Sequence, residues 1–175
     1  QLAALDSEQL RALNGTQLRA LTSAQLASLA TEDLNALTSS QLQSLGSSQI
    51  AALTSQQIRA MESEDFAALT TAQLRGMETR DLAALASADV AQFSSSQLAG
   101  LASTQLRALA SDAIVGIGTD ALGALSGAQV AALTTAQVAG LSTEQLAGLS
   151  SAQLRGLGSA QLAALGTEHL NVLGS

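Results

Sequence analysis

The chain of 175 residues contains no Pro, Cys, Trp, Tyr or Lys and only two Phe, and nearly half of it is hydrophobic, so a core must be built from aliphatic side chains of similar size. Its net charge of −7 argues against nucleic acid, whose phosphates require clustered Lys and Arg, and against anionic membrane surfaces. No stretch approaches the roughly eighteen apolar residues of a membrane-spanning helix, and the lack of Cys leaves the redox compartment open.

From its first residues the chain is a repeat of eight. Leu2, Leu10, Leu18, Leu26, Leu34 and Leu42 open one apolar series, which continues through Ile50, Ile58, Phe66, Leu74, Leu82 and Val90 to Leu170. A second series runs from Leu5 through Leu13, Leu21 and Leu29 to Leu173 and departs from Leu only at Met61, Met77, Phe93 and Ile117. The twenty-two units contain no insertion, and their consensus is Leu-x-[Ala/Gly]-Leu-x-[Ser/Thr]-x-Gln. The third position is small except at Gln92 and Val172, and the sixth is Ser or Thr except at Gly15 and Gly127. The eighth is mostly Gln, with Asp33, Asp65, Asp81, Asp89, Ala113, Ala121 and His169 as variants.

One continuous helix does not suit this period. Eight residues advance roughly 800°, so the leucines would spiral around the cylinder instead of forming a stripe. Strands suit it no better, because leucines three apart point to opposite faces and β-branched residues are scarce. Short helices do suit it. Leucines at i and i+3 share a helix face, and the sixth-position Ser or Thr is the expected N-cap. Glu8, Glu32, Glu64, Asp112, Asp120, Glu144 and Glu168 then fall in the first turn, while Arg11, Arg19, Arg59, Arg75, Arg107 and Arg155 come late, as the helix dipole favours. Only Arg80 breaks that polarity. Gly46, Gly118, Gly158, Gly166 and Gly174 mark corners where a positive φ is expected. Such helices are too short to stand alone and must stack. The fold expected is all-α: a solenoid of very short helices, one per octad, running as one continuous array over residues 1–175 of what is expected to be a longer protein. A coil could hold two octads or three. The likeness of residues 59–65 to 75–81, sixteen apart, favours two.

Along the chain, no constellation of unlike groups that catalysis requires comes into view. Glu62, Glu64, Asp65, Glu78 and Asp81 are read as a solvated acidic face and not as a metal site, since no Asp-x-Asp-x-Asp loop accompanies them. The segment Gly116–Thr119 is read as a corner, not a phosphate cradle, and the lone His169 as a Gln replacement. No catalytic, metal or cofactor residue is assigned, and no small-molecule substrate. The Gln row is expected to bond internally, either as an amide ladder or to the orphan carbonyls of a neighbouring helix end.

The stretches Leu69-Thr70-Thr71-Ala72-Gln73-Leu74 and Ala132-Leu133-Thr134-Thr135-Ala136-Gln137-Val138-Ala139 resemble the Ala-Leu-Thr-Thr-x-Gln octads of very large bacterial repeat proteins labelled adhesin-like, surface or haem-utilisation proteins. The resemblance covers the whole chain and implies an extracellular or cell-surface stalk, spacer or filament. It brings no catalytic residue, and no haem-ligating pair is present. The partners expected are other copies of the chain, end to end or side by side. The alternative is a binding module that presents one face to a protein, a glycan or ice.

Overall fold

The computed structural model describes residues 6–173. Leu2, Leu5 and Gly174, named above, lie outside them. The described residues form twenty-one α-helices of four to seven residues and no strand. Each helix takes one octad: Ser7–Arg11, Gly15–Arg19 and Ser23–Ala27 are the first three and Thr167–Leu173 the last.

Each helix packs on the helix three places further along the chain. Ser7–Arg11 meets Thr31–Asn35, Ser47–Ile50 meets Thr71–Gly76, and Gly127–Ala132 meets Ser151–Gly156. One coil therefore contains three octads, or twenty-four residues, and the chain turns by a third of a circle at each corner. The sixteen-residue coil favoured by the likeness of 59–65 to 75–81 is overturned. That likeness relates two neighbouring sides of one triangular coil, not one layer to the next. A little over seven such coils, at the roughly 8–10 Å separation of packed helices, make a rod roughly 60–75 Å long.

Both leucine series point inward from the three sides. Leu74, Leu98, Leu106, Val130 and Leu146 of the first series are fully buried, and Leu69, Leu101, Leu109 and Leu133 of the second nearly so. Phe66 and Phe93 meet edge to face with centroids 6.3 Å apart, and Met61 and Met77 are buried in the same core. No described helix is long and apolar enough to cross a membrane.

The corners need no special backbone. At a representative one, Leu69 (φ −65°, ψ 139°) and Thr70 (φ −72°, ψ 155°) are both extended, and no described residue has a positive φ. The expected left-handed glycines at positions 46, 118, 158 and 166 are thus corrected: two consecutive extended residues turn the chain, which L-residues do without strain. The caps also move by one place. The N-cap is the fifth residue of the octad and not the sixth. Thr70 Oγ1 accepts from the Gln73 amide at 3.2 Å, and Thr22, Thr38, Thr54, Ser94 and Ser150 act alike. The position-six residue, Ser or Thr in all but two octads, already lies inside the helix.

Candidate functional site

The feature that recurs from coil to coil is built on the eighth-position Gln, the third residue of its helix. Its two amide atoms have different duties. At Gln73, Oε1 accepts from the backbone N–H of Thr70 at 2.7 Å and closes the capping box. Nε2 donates to the carbonyls of Leu42 and Leu45 in the coil below, at 2.7 and 2.8 Å. The Leu45 carbonyl takes no backbone N–H among the described residues, whereas that of Leu42 also accepts the Leu45 N–H at 3.2 Å. One side chain therefore satisfies the start of its own helix and the end of the helix beneath.

The arrangement repeats at fixed separations of 31 and 28 residues. Gln57 reaches Leu26 and Leu29, Gln105 reaches Leu74 and Met77, Gln137 reaches Leu106 and Leu109, and Gln153 reaches Leu122 and Leu125. These amides are buried, where an unmet donor is costly. Of the two roles expected of the Gln row, the bond to orphan carbonyls is the one observed; no hydrogen bond joins one Gln side chain to another among the described residues.

At three of the four places where Asp replaces Gln the connection reverses; Asp65 instead accepts the N–H of Glu62 at 3.3 Å. A carboxylate cannot donate, and it accepts a sixth-position hydroxyl from the coil below instead: Ser7 to Asp33 at 2.8 Å, Ser55 to Asp81 at 2.6 Å, Ser63 to Asp89 at 2.8 Å. Other sixth-position hydroxyls bond upward to backbone, as Ser87 does to the Asp112 carbonyl at 2.9 Å. Nothing in the sequence pattern signalled this Ser–Asp pairing, because its partners lie 26 residues apart and that spacing has meaning only once the coil size is known. Ala113 and Ala121 have neither a donor nor an acceptor and leave their places with packing alone.

The third position also acts between coils. A Cβ on Gly76 would lie 2.8 Å from the Ser47 carbonyl oxygen, and one on Gly156 would lie 2.7 Å from that of Gly127. Small residues here, opposite small residues at position six of the coil below, set how closely layers approach. Gly118, by contrast, has open space around it.

The charged residues singled out from sequence are not brought to one point. Glu78 pairs with Arg80 at 3.1 Å, and Arg80 lies 3.7 Å from the buried Asp81. Burial pushes the Asp65 carboxyl above its ordinary range, against the help of the Glu62 backbone N–H, and the charges of Glu62 and Glu64 push the same way. No three acidic, His or Cys side chains gather as metal ligands among the described residues. Gly116–Thr119 is a corner, with Gly116 ending one helix and Gly118 preceding the next. His169 stands in the eighth-position place of the last complete octad. Arg11, Arg59, Arg107 and Arg155 all occupy one side of the rod, two coils apart, and are exposed. Chemically the recurrent arrangement can hold layers together; it aligns like groups in files along the axis.

A family model described as the ALTTAQ repeat matches the chain at residues 2–39, 26–61, 58–85, 76–111, 103–135, 114–150 and 138–175. None of the curated proteins matches the chain.

Proposed function

The chain belongs to the ALTTAQ repeat family, and from that premise we propose that it is a structural rod of a bacterial surface or extracellular protein, serving as a stalk, spacer or filament-forming segment without catalytic activity. The observation that carries this reading is the Gln bond between coils. It recurs at equivalent carbonyl pairs on all three sides of the rod, at Gln73, Gln105 and Gln137, so the most regular polar side chains that are buried serve to hold layers together. A solenoid whose repeats touch only their neighbours transmits length and orientation, as a spacer requires. Ser and Thr side chains are engaged as caps and inter-coil donors, which supports a scaffold and not a nucleophile.

Two measurements test the proposal. Small-angle scattering from the chain in solution should report a rod roughly 60–75 Å long; a compact sphere would refute the architecture. Antibody against the chain should label intact cells of the native host. Labelling seen only after lysis would refute the surface assignment and leave the rod standing. Self-association is part of this reading.

A further inference from the structure

We propose that two neighbouring sides of the rod, one basic and one acidic, are docking surfaces for each other, so that copies of the chain pack side by side, parallel and level. This rests on the self-associating rod reading above. The side built on Ser7–Arg11 and every third helix after it carries five of the seven arginines, Arg11, Arg59, Arg80, Arg107 and Arg155. The side built on Gly15–Arg19 and every third helix after it carries, beyond Arg19, Glu62, Glu64, Asp65, Asp89 and Asp112 and no cation among the described residues. Arg59, Arg107 and Arg155 are exposed and make no ion pair or hydrogen bond among the described residues.

The coil sets the register. Arg59 and Arg107 are two coils apart, and so are Glu64 and Asp112, so the two files of charge share one spacing whatever the rise of a coil. The course of the chain sets the orientation. In two parallel rods the chain circulates in the same sense, so helices on facing sides run in opposite directions and late residues meet early ones. Arg59 and Arg107 come late in Ser55–Ala60 and Ser103–Ala108, while Glu64 and Asp112 come early in Ser63–Ala68 and Ser111–Val115. With the copies level, Arg59 of one faces Glu64 of the next, and Arg107 faces Asp112. In the first coil the signs are exchanged and the match holds, with the early Glu8 facing the late Arg19. Antiparallel rods would set late against late, where the acidic side offers Ala67, Ala91 and Val115. The third side offers Asp120 and Glu168 to Arg107 and Arg155 but leaves Arg59 against Ala72, two pairs against three. Along the described coils, a side roughly 12 Å wide and roughly 60–75 Å long presents about 800 Å², the size of a standard interface. It covers Val115, which is 53% exposed in a single copy. Each copy offers one basic and one acidic side, so the interface is heterologous and assembly continues beyond a pair.

The test is sedimentation of the 175-residue chain over a range of concentrations, beside an R59E/R107E variant, an E64R/D112R variant and a D120N/E168Q variant. Circular dichroism and scattering check that each remains a helical rod. The mass of the unaltered chain should rise with concentration at low salt and fall back at about 1 M salt, which screens exposed pairs. Each reversal variant alone should associate at least about tenfold more weakly, because like charges then face each other. An equimolar mixture of the two should regain the assembly, since each presents the charge that the other lacks. D120N/E168Q should assemble as the unaltered chain does. A chain that stays single at every concentration, reversal variants that assemble unaided, a mixture that does not regain assembly, or a loss in D120N/E168Q, would each overturn this interface and leave the rod reading intact. A chain that scattering shows not to be a rod would sink both.

Discussion

Gln73 is bonded at both ends of its amide and is only 1% exposed, which makes it the sharpest probe of what a single residue does here. Gln73→Glu keeps the acceptor for Thr70 and places a carboxylate against the Leu42 and Leu45 carbonyls. The expected loss is on the order of 3 kcal/mol, since a buried charge is left without a partner; Gln9→Glu, on the exposed first coil, should cost a few tenths at most. Urea unfolding of the two variants checks the contrast, and equal losses would deny the inter-coil bond its weight. Glycines offer a second contrast. Gly76→Ala places a methyl against the Ser47 carbonyl and should cost about 1 kcal/mol or more, while Gly118→Ser, with open space and an ordinary φ of −63°, should be neutral or slightly stabilising. The Gln row was legible as internal because its identity is held at a position where a surface residue would vary. The cap was misplaced because uniformity was taken as its sign. The fifth position, which caps, tolerates Asp6, Asn14, Thr22 and Gly46 alike, whereas the sixth is uniform because it must be small and lie against the next layer.

At the level of the helix, the layers are not joined equally. From Gln129 to Gln161 every octad has its Gln bond. Between residues 65 and 121 Asp65, Asp81, Asp89, Ala113 and Ala121 break the row, and only Gln73, Gln97 and Gln105 bridge downward. Stability in a solenoid is a sum over neighbouring layers, so this middle stretch should open first. Hydrogen exchange should be faster in the helices Ser63–Ala68 and Ser87–Ala91 than in Thr135–Ala139 and Thr143–Ala147; uniform protection would show that leucine packing alone sets the order. Asp65 adds a pH dependence. Its folded pKa is raised by burial, so its favourable contribution is present below the unfolded carboxylate pKa and is lost as pH rises through the folded value. Asp65→Gln should therefore raise the melting temperature at neutral pH, with a gain that shrinks as the solution is acidified through the carboxylate range. A gain that grows with acid would reverse the sign and refute the cause. Helix content and direction were legible because leucine spacing, first-turn acids and late arginines agree, and the structure keeps Arg11, Arg59 and Arg107 in last turns.

At the scale of the whole rod, a period of eight conceals the coil. Any whole number of octads per turn keeps every Leu facing inward, so neither the leucines nor Arg11, Arg59, Arg107 and Arg155 at intervals of forty-eight distinguish two from three. The distinction lies in the angle of the extended pair at each corner, and in bonds such as Gln73 to Leu42 that span 31 residues. The same degeneracy makes the octads interchangeable, and that can be measured. Duplicating residues 145–152 in place advances every later octad by one side of the triangle. Each later Gln then meets a Leu-x-x-Leu carbonyl pair of the same kind, and a glycine again lies over Gly127, where a larger residue would press on its carbonyl. The duplicated chain should melt within a few degrees of the original and lengthen by about a third of a layer, roughly 3 Å. An insertion of four residues at the same point has no such escape. It turns the leucines of one octad outward and carries the Gln amides away from the carbonyls, so melting should fall and become less cooperative. If both insertions were tolerated equally, the side-chain register between layers would not be what holds the rod together, and backbone stacking alone would have to account for it.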